Sequence, residues 1–291
     1  MRIGMALNTM GAFADIAADA AVAASFGFDS VWTGQQPGGW DALSALGAVG
    51  DGVPEVGTAV VPTYPVHPVA LATTALTVQS LVGGRLTLGI GPSHEWIMTG
   101  MLGIPYTAPA RHTREYLEVL RPLLRGEQVK YSGEFFKVDA RLAVSAPEPP
   151  VLIAALGPRM LEVARDLADG TVATWVRPAT VADYLRPRLG DGARVAVTVL
   201  VAVTDDPDGV RESVSRNFAI VGEMPAYRAI LERGGLSGPG DAVVAGSESE
   251  VLAELRRFRD AGGTDVIVSP FGPPEERDRV LQVVAQARSE D

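Results

Sequence analysis

The sequence has no cysteine and little histidine. Among its 291 residues there are three histidines, His67, His94 and His112. Without cysteine the chain can have no disulfide, thiolate zinc site, iron–sulfur cluster or cysteine nucleophile. Three isolated histidines do not predict a histidine-rich metal site, so we expect no metal.

Positive charge is also scarce, since 25 Lys and Arg stand against 35 Asp and Glu, for a net charge of −10. An acidic chain lacks the basic surface that nucleic-acid phosphates need, so a nucleic-acid partner is not expected. The chain has no apolar run of the roughly 18 residues that span a bilayer, and no signal-peptide pattern. We therefore expect a cytoplasmic protein without a membrane partner. Its 47% of hydrophobic residues suffice for a large core.

Short apolar runs are the clearest pattern that is present. Most are continuously apolar instead of alternating, which is typical of strands buried on both faces of a parallel sheet. The predicted strands are residues 3–8, 30–33, 56–61, 85–89, 151–156, 171–176, 194–203 and 265–269.

Helical patterns between these strands complete repeated βα units. The predicted helices are residues 13–25, 40–49, 68–81, 113–124, 159–168, 181–185, 210–221, 248–261 and 276–288. Such units predict the α/β class and one domain over residues 1–291, a (β/α)8 TIM barrel with excursions after strands 4 and 7. The first excursion contains a predicted hairpin at residues 131–138. A doubly wound sheet is disfavoured, because its first βα turn would need several spaced glycines. In this sequence that turn, residues 8–13, has a single glycine, Gly11.

The carboxyl ends of the strands carry the active site in such barrels, so the residues after each strand are the site candidates. They offer amides and aromatic rings, but no paired carboxylates and no serine in a nucleophile elbow. Such a rim favours an enzyme whose chemistry resides in a cofactor, although any barrel rim has some of these residues. The candidate substrate contacts are Asn8, Trp40, Tyr64, His67, Trp96 and Trp175.

The turn at residues 154–159 predicts an anion site. The strand ends before Gly157, Pro158 takes the first helical position, and Arg159 follows. Free N–H groups at the positive end of that helix then face the rim, where a phosphate can bind. A Gly-Pro pair also suits an ordinary tight turn, and the local pattern does not choose between the two.

Several longer motifs carry a family resemblance. Residues 57–94, GTAVVPTYPVHPVALATTALTVQSLVGGRLTLGIGPSH, resemble the luciferase-like monooxygenase superfamily, and more closely its actinobacterial branch that uses the deazaflavin coenzyme F420. Residues 26–35, 114–126 and 151–172 support the resemblance, which runs in order along the whole chain. It implies a barrel, commonly a homodimer, that transfers a hydride between coenzyme F420 and a small-molecule substrate.

The resemblance also implies the cofactor contacts. Family members have a non-prolyl cis peptide in the third strand that backs the deazaflavin ring, and the matching bond is Ala59–Val60. A turn beside the ring and a turn at the phosphate complete the implied site. The matching residues are Gly91, Pro92 and Ser93 for the first turn, and Ala155, Leu156, Gly157 and Pro158 for the second.

Departures from the family narrow the chemistry. The sugar-phosphate dehydrogenases of this branch have an Asp-His pair after strand 2 and a glutamate after strand 4; here these positions are Gln35-Gln36 and Pro92. Trp40 does match their ring-packing tryptophan. A sugar-phosphate reaction is therefore not expected. The catalytic candidates are Gln36, whose amide can position a carbonyl, and His94, as a general acid or a structural donor.

Other functions stay open on the sequence alone. The same fold can bind FMN and act as a monooxygenase, or keep a flavin or deazaflavin without turnover, which Gln35-Gln36 would suit. A phosphosugar isomerase or aldolase is disfavoured, since these need a rim Lys or Glu. The two lysines, Lys130 and Lys137, both lie in the first excursion.

Overall fold

Parallel strands close into a ring in the computed structural model, which describes residues 1–288. The end of the predicted domain, residues 289–291, lies outside the described residues. The strands in chain order are β1 (Arg2–Leu7), β2 (Ser30–Thr33), β3 (Glu55–Thr58), β4 (Val61–Pro62), β5 (Leu86–Gly91), β6 (Val129–Ser132), β7 (Lys137–Ala140), β8 (Val151–Ala154), β9 (Gly170–Thr174), β10 (Arg194–Val203), β11 (Val244–Gly246) and β12 (Asp265–Pro270).

The ring runs β1-β2-β3-β5-β8-β9-β10-β12, and β12 returns to β1 with Arg2 opposite Asp265. Every pairing around it is parallel, as continuously apolar strands require. The predicted (β/α)8 barrel is confirmed.

The third barrel strand has an interruption. β3 ends at Thr58 and β4 resumes at Val61, and both pair with β5. The peptide bond between Ala59 and Val60 is cis, as the resemblance implied. The predicted strand 56–61 is therefore present in two pieces, on either side of that bond.

Helices cover the outside of the barrel. Their bounds are α1 (Phe13–Ser25), α2 (Ala42–Gly47), α3 (Pro68–Leu81), α4 (Pro109–Leu124), α5 (Pro158–Leu167), α6 (Pro178–Thr180), α7 (Arg186–Leu189), α8 (Pro207–Asn217), α9 (Ala219–Glu223), α10 (Pro225–Arg233), α11 (Glu248–Asp260) and α12 (Arg277–Gln286). Short π-helices occupy Trp96–Met101 and Val181–Leu185, and 3₁₀ turns occupy Pro239–Ala242 and Pro274–Glu276.

The first excursion has the predicted content and the second does not. The first holds helix α4 and the hairpin β6–β7. The buried Glu115 carboxylate fixes the hairpin tip, because it accepts the N–H groups of Glu134, Phe135 and Phe136 at 2.9, 2.8 and 3.3 Å. The second was predicted to hold two helices but contains α8, α9, α10 and α11. The short helices α9 and α10 lie over the carboxyl ends of the strands, and they bring side chains to the site described below.

The interior of the barrel is closed from below. Trp32, Leu152, Val172, Ala196 and Ile267 form an apolar cluster inside the ring. Arg194 lies beneath them, at the amino ends of the strands, and binds Asp265 and Glu55. The only open end of the barrel in the described part of the chain is therefore the carboxyl end. Within residues 1–288, no helix is both long and apolar enough to cross a bilayer, and no three metal-binding side chains cluster.

Candidate active site at the carboxyl ends of the strands

A cleft opens over the carboxyl ends of the barrel strands, and it has two connected lobes. The central lobe, a cavity of about 540 Å³, lies over Trp32, Ala59 and Val60. The second lobe, a cavity of about 760 Å³, is flanked by Arg111 and Arg159 and is called the arginine lobe here. The two lobes share six lining residues: Val60, His94, Ala154, Val172, Thr174 and Tyr227. One ligand can therefore extend from one lobe into the other.

The floor of the central lobe is the Trp32 indole, and the small residues Ser30 and Gly57 hold it in place. The Trp32 indole fills the top of the barrel interior, and its Nε1 donates to Ser30 Oγ at 2.8 Å. Gly57 lies against this ring, where a Cβ would collide with it. The strand therefore needs glycine at this position, so that the indole fits beside it and packs against Ala59 and Val60.

The walls of the central lobe are largely aromatic and aliphatic. Trp175 packs against Phe218 with ring centroids 5.3 Å apart, and against Tyr227 at 6.4 Å. Tyr227 in turn meets His94 edge to face at 4.7 Å. These side chains come from the end of β9, from the break between α8 and α9, from α10 and from the loop after β5, so four separate segments form the wall.

The arginine lobe has the features of an anion site. Helix α5 begins there, with Gly157 as its N-cap and Pro158 at the first position. Neither residue supplies a side-chain cap, and the first N–H groups of a helix have no intrahelical acceptor. Arg159 lies in the same turn, and Arg111 lies across the lobe in an ion pair with Glu134 at 3.0 Å. Positive charge and free donors thus converge on one side of the cleft.

Burial controls the titration of the groups around the cleft. It lowers the pKa of His94 below its ordinary value of 6.5, so this imidazole is neutral at physiological pH. It raises the pKa of Tyr227 to about 12, and it also raises the pKa of Tyr106, whose hydroxyl donates to the Ser93 carbonyl at 3.0 Å. The shared wall therefore offers one neutral imidazole and one phenol that keeps its proton.

Most of the predicted site residues line this cleft. The central lobe takes in Asn8, Gln36, Ala59, Trp96 and Trp175, and the arginine lobe takes in Pro92, Ser93, Leu156, Gly157 and Pro158, with Val60 and His94 common to both. Gly91 and Ala155 are buried behind the walls and line neither lobe. Ser93 and Trp175 have positive φ, 64° and 59°, which turns the chain sharply at two edges of the cleft.

Three of the predicted substrate contacts, Trp40, Tyr64 and His67, line neither lobe of the cleft. Trp40 packs against Phe13 and donates from Nε1 to the Gly11 carbonyl at 2.9 Å. Tyr64 stacks on His112, with centroids 3.8 Å apart, and donates to the Thr107 carbonyl.

His67, the third of them, caps helix α3, where its Nδ1 accepts from Val69 N–H at 3.3 Å. These three side chains are therefore occupied by partners in neighbouring loops and helices.

Among the site residues that sequence reasoning missed are Tyr106, Arg111, Phe218 and Tyr227. A signal for Tyr227 does exist, because Pro225 and Gly234 mark the start and the end of a helix in the sequence PAYRAILERG. Phe218 lies inside the predicted helix 210–221 but belongs to the break between α8 and α9. No local pattern indicates that these segments return over the barrel.

Barrels of this kind form their active sites at the carboxyl ends of the strands, where this cleft lies. Comparison with known proteins identifies the family. The model of the luciferase-like monooxygenase family matches residues 1–276. The chain therefore belongs to this family, and among its relatives are F420-dependent oxidoreductases. It is an enzyme of the oxidoreductase class.

One relative and two solved structures illustrate the similarity. The chain is 26% identical to a 5,10-methylenetetrahydromethanopterin reductase of Archaeoglobus fulgidus, over 86% of this chain and 88% of that protein. An F420-dependent secondary alcohol dehydrogenase, solved in complex with an F420–acetone adduct, has a TM-score of 0.81 at 20% identity, over 98% of this chain and 97% of that chain. The oxygenating constituent of 3,6-diketocamphane monooxygenase from the CAM plasmid of Pseudomonas putida, solved with FMN, has a TM-score of 0.75 at 15% identity, over 99% of this chain and 97% of that chain. The two solved structures show the shared fold.

Proposed function

We propose that this enzyme transfers a hydride between coenzyme F420 and a small organic substrate. The observation that carries the proposal is the two-lobed cleft, in which an anion site lies next to an apolar lobe over the Ala59–Val60 bond. A phosphorylated tricyclic cofactor needs both features at once. The F420-dependent relatives support this choice of cofactor.

The residues present fit such a cofactor. Its phosphate would bind at the start of α5, where Gly157 leaves room and Arg159 supplies charge. Its ring would lie against Val60, Ala154 and Val172, which are apolar and common to both lobes. When bound, coenzyme F420 supplies the hydride chemistry, and the protein supplies binding and orientation.

The chain's own contribution to the reaction is placement and proton handling. The Gln36 amide and the Tyr227 hydroxyl line the central lobe and can hold a substrate oxygen by hydrogen bonds. The neutral His94 imidazole, beside Tyr227, can take the proton of a substrate hydroxyl, and the imidazolium so formed can return it in the reverse direction. The aromatic walls exclude water, so most of the rate would come from positioning.

The test of the proposal compares the two candidate cofactors. Cofactor-free protein is titrated with coenzyme F420 and with FMN, and the dissociation constants are measured by fluorescence. Arg159→Ala should weaken F420 binding at least about tenfold, because a hydrogen-bonded charge near a phosphate contributes roughly 1.5–3 kcal/mol. Arg165→Ala is the matched control, since Arg165 lies on the same helix but pairs with Asp166.

The same titrations, together with activity assays, decide between the proposal and two alternative functions. Tighter binding of FMN together with oxygen uptake would overturn the F420 proposal in favour of a monooxygenase. Tight F420 binding without hydride transfer to any of a broad panel of substrates would favour a non-catalytic carrier. The homodimer and the cytoplasmic location stay predictions, and sedimentation would test the first.

A further inference from the structure

The residues of the central lobe restrict the class of substrate, provided that the function proposed above holds. If the phosphate of the cofactor occupies the arginine lobe, the central lobe is left for the substrate. We infer that this substrate is an uncharged, largely apolar compound with a conjugated or aromatic body and one or two acceptor oxygens. Carboxylates and phosphate esters are excluded from this lobe by its composition.

The first observation is the absence of formal charge. Of the described residues that line the central lobe, none is Asp, Glu, Lys or Arg. Its titratable side chains are His94 and Tyr227, and burial keeps both neutral at physiological pH. An anionic substrate would therefore lose its water without gaining a counter-charge, which is strongly unfavourable.

The second observation is that the nearby cations already have partners. Arg194 lies below the floor, with its guanidinium 5.7 Å from the Trp32 ring, and it binds Asp265 and Glu55. Arg177 follows Trp175 in the chain, but it donates to the Asp241 carbonyl at 2.9 Å and pairs with Glu254 at 2.8 Å. Neither arginine lines the lobe, so neither can neutralise a bound anion.

The third observation concerns the walls. Trp175, Phe218 and Tyr227 present aromatic surfaces from one side, and Val221 and Met224 add aliphatic and thioether surface. A flat conjugated body gains most from such walls, because rings stack offset or edge to face. The neutral donors of the lobe include the Asn8 and Gln36 amides, the Tyr227 hydroxyl, and the hydroxyls of Thr174 and Ser269. They suit carbonyl oxygens.

The experiment uses matched pairs of ketones that differ in one charge. The pairs are 4-acetylbenzamide with 4-acetylbenzoate, and 6-acetyl-2-naphthamide with 6-acetyl-2-naphthoate. Protein saturated with oxidised coenzyme F420 is titrated with each ligand in a calorimeter. We expect at least one of the amides to bind, and its carboxylate partner to bind at least tenfold more weakly.

A positive charge placed at the rim of the central lobe should reduce the preference for the amides over the carboxylates. Ile220 lines the lobe and is 53% exposed, so Ile220→Lys keeps its ammonium in water while facing the ligand. This variant should narrow the amide-to-carboxylate ratio at least threefold. Leu81→Lys is the matched control, since Leu81 is 68% exposed at the end of α3, outside both lobes. It should leave the ratio unchanged.

The outcomes separate this inference from the proposed function. Equal or tighter binding of the carboxylates, or no binding of either amide, overturns the inference. Failure to bind coenzyme F420 overturns the proposed function instead. In that case the same titrations are run on cofactor-free protein, with inorganic phosphate present to occupy the arginine lobe. The same ratio then decides whether the central lobe rejects anions.

Discussion

Replacing Arg194 with methionine should unfold the barrel at a distinctly lower temperature. The guanidinium donates to Asp265 Oδ1 and Oδ2 at 2.6 and 2.9 Å, and to Glu55 Oε1 at 2.6 Å. Although burial disfavours its charge, the hydrogen bonds to Asp265 and Glu55 raise the pKa of Arg194 above its ordinary value. The guanidinium therefore stays charged throughout the pH range of ordinary stability assays.

The size of the stability loss depends on the Asp265 carboxylate, which would lose its main partner. Asp265 is 1% exposed, and its remaining partners are the Thr264 hydroxyl at 2.6 Å and Arg2 Nε at 3.6 Å. Removing one member of a buried ion pair costs about 3–5 kcal/mol of the free energy of unfolding. Because Asp265 keeps these two partners, we expect a loss at the lower end of the range, about 3 kcal/mol. At about 2–4 °C per kcal/mol for a chain of this size, the melting temperature should fall by about 6–12 °C.

Thermal melts followed by circular dichroism test this reasoning. Arg216→Met is the control, because Arg216 forms only an exposed pair with Glu212 at 3.5 Å and should change the stability by less than about 1 kcal/mol. The double variant Arg194→Met, Asp265→Asn should lose less than the sum of the single losses, since the orphaned charge is gone. The reasoning would be refuted if the melting temperature of Arg194→Met fell by less than about 2 °C, or if the losses of the two single variants were strictly additive.

Three further predictions concern the floor, the loops and the hairpin. Gly57→Ala should push the Trp32 ring and cost about 1–3 kcal/mol in urea melts, whereas Gly192→Ala, with open space at its Cβ, should cost little. Burial lowers the pKa of His112 to about 4, opposed by Glu115. The unfolded chain then takes up a proton below pH 6.5 that the native protein refuses, so stability is lost as the pH falls from 6.5 towards 4. Linkage puts this loss at about 1–2 kcal/mol at pH 5, and His112→Phe should show a correspondingly smaller drop between pH 7 and 5; equal drops would contradict it. Glu115→Gln should speed hydrogen exchange at the Phe135 and Phe136 amides at least tenfold, and unchanged exchange would argue against the clamp at the hairpin tip.

The regular elements of the fold are largely predictable from the sequence. Helices α1 and α3 have the predicted bounds, and Pro68 and Gly83-Gly84 mark the two ends of α3. Continuous apolar runs predict the barrel strands because both faces of each strand are covered. Helix α4 begins at Pro109 instead of residue 113, because proline at its first position extends it by a turn.

The site is less predictable, because its side chains meet across long sequence separations. Tyr64 and His67 follow a strand end, but His112 and Phe136, from the first excursion, draw them away from the cleft. Tyr227 reaches it only because α10 folds back over the barrel. The cis bond between Ala59 and Val60 has no local cause in Thr-Ala-Val, and the family resemblance alone indicated it.

The pairing of the first barrel strand with the last has a consequence for synthesis. Because β1 and β10 both pair with β12, no nascent chain that stops before residue 265 can complete the ring. Until then both strands keep a free edge, and free edges recruit strands from other molecules. The protein is therefore most prone to aggregation during its synthesis, before β12 covers those two edges.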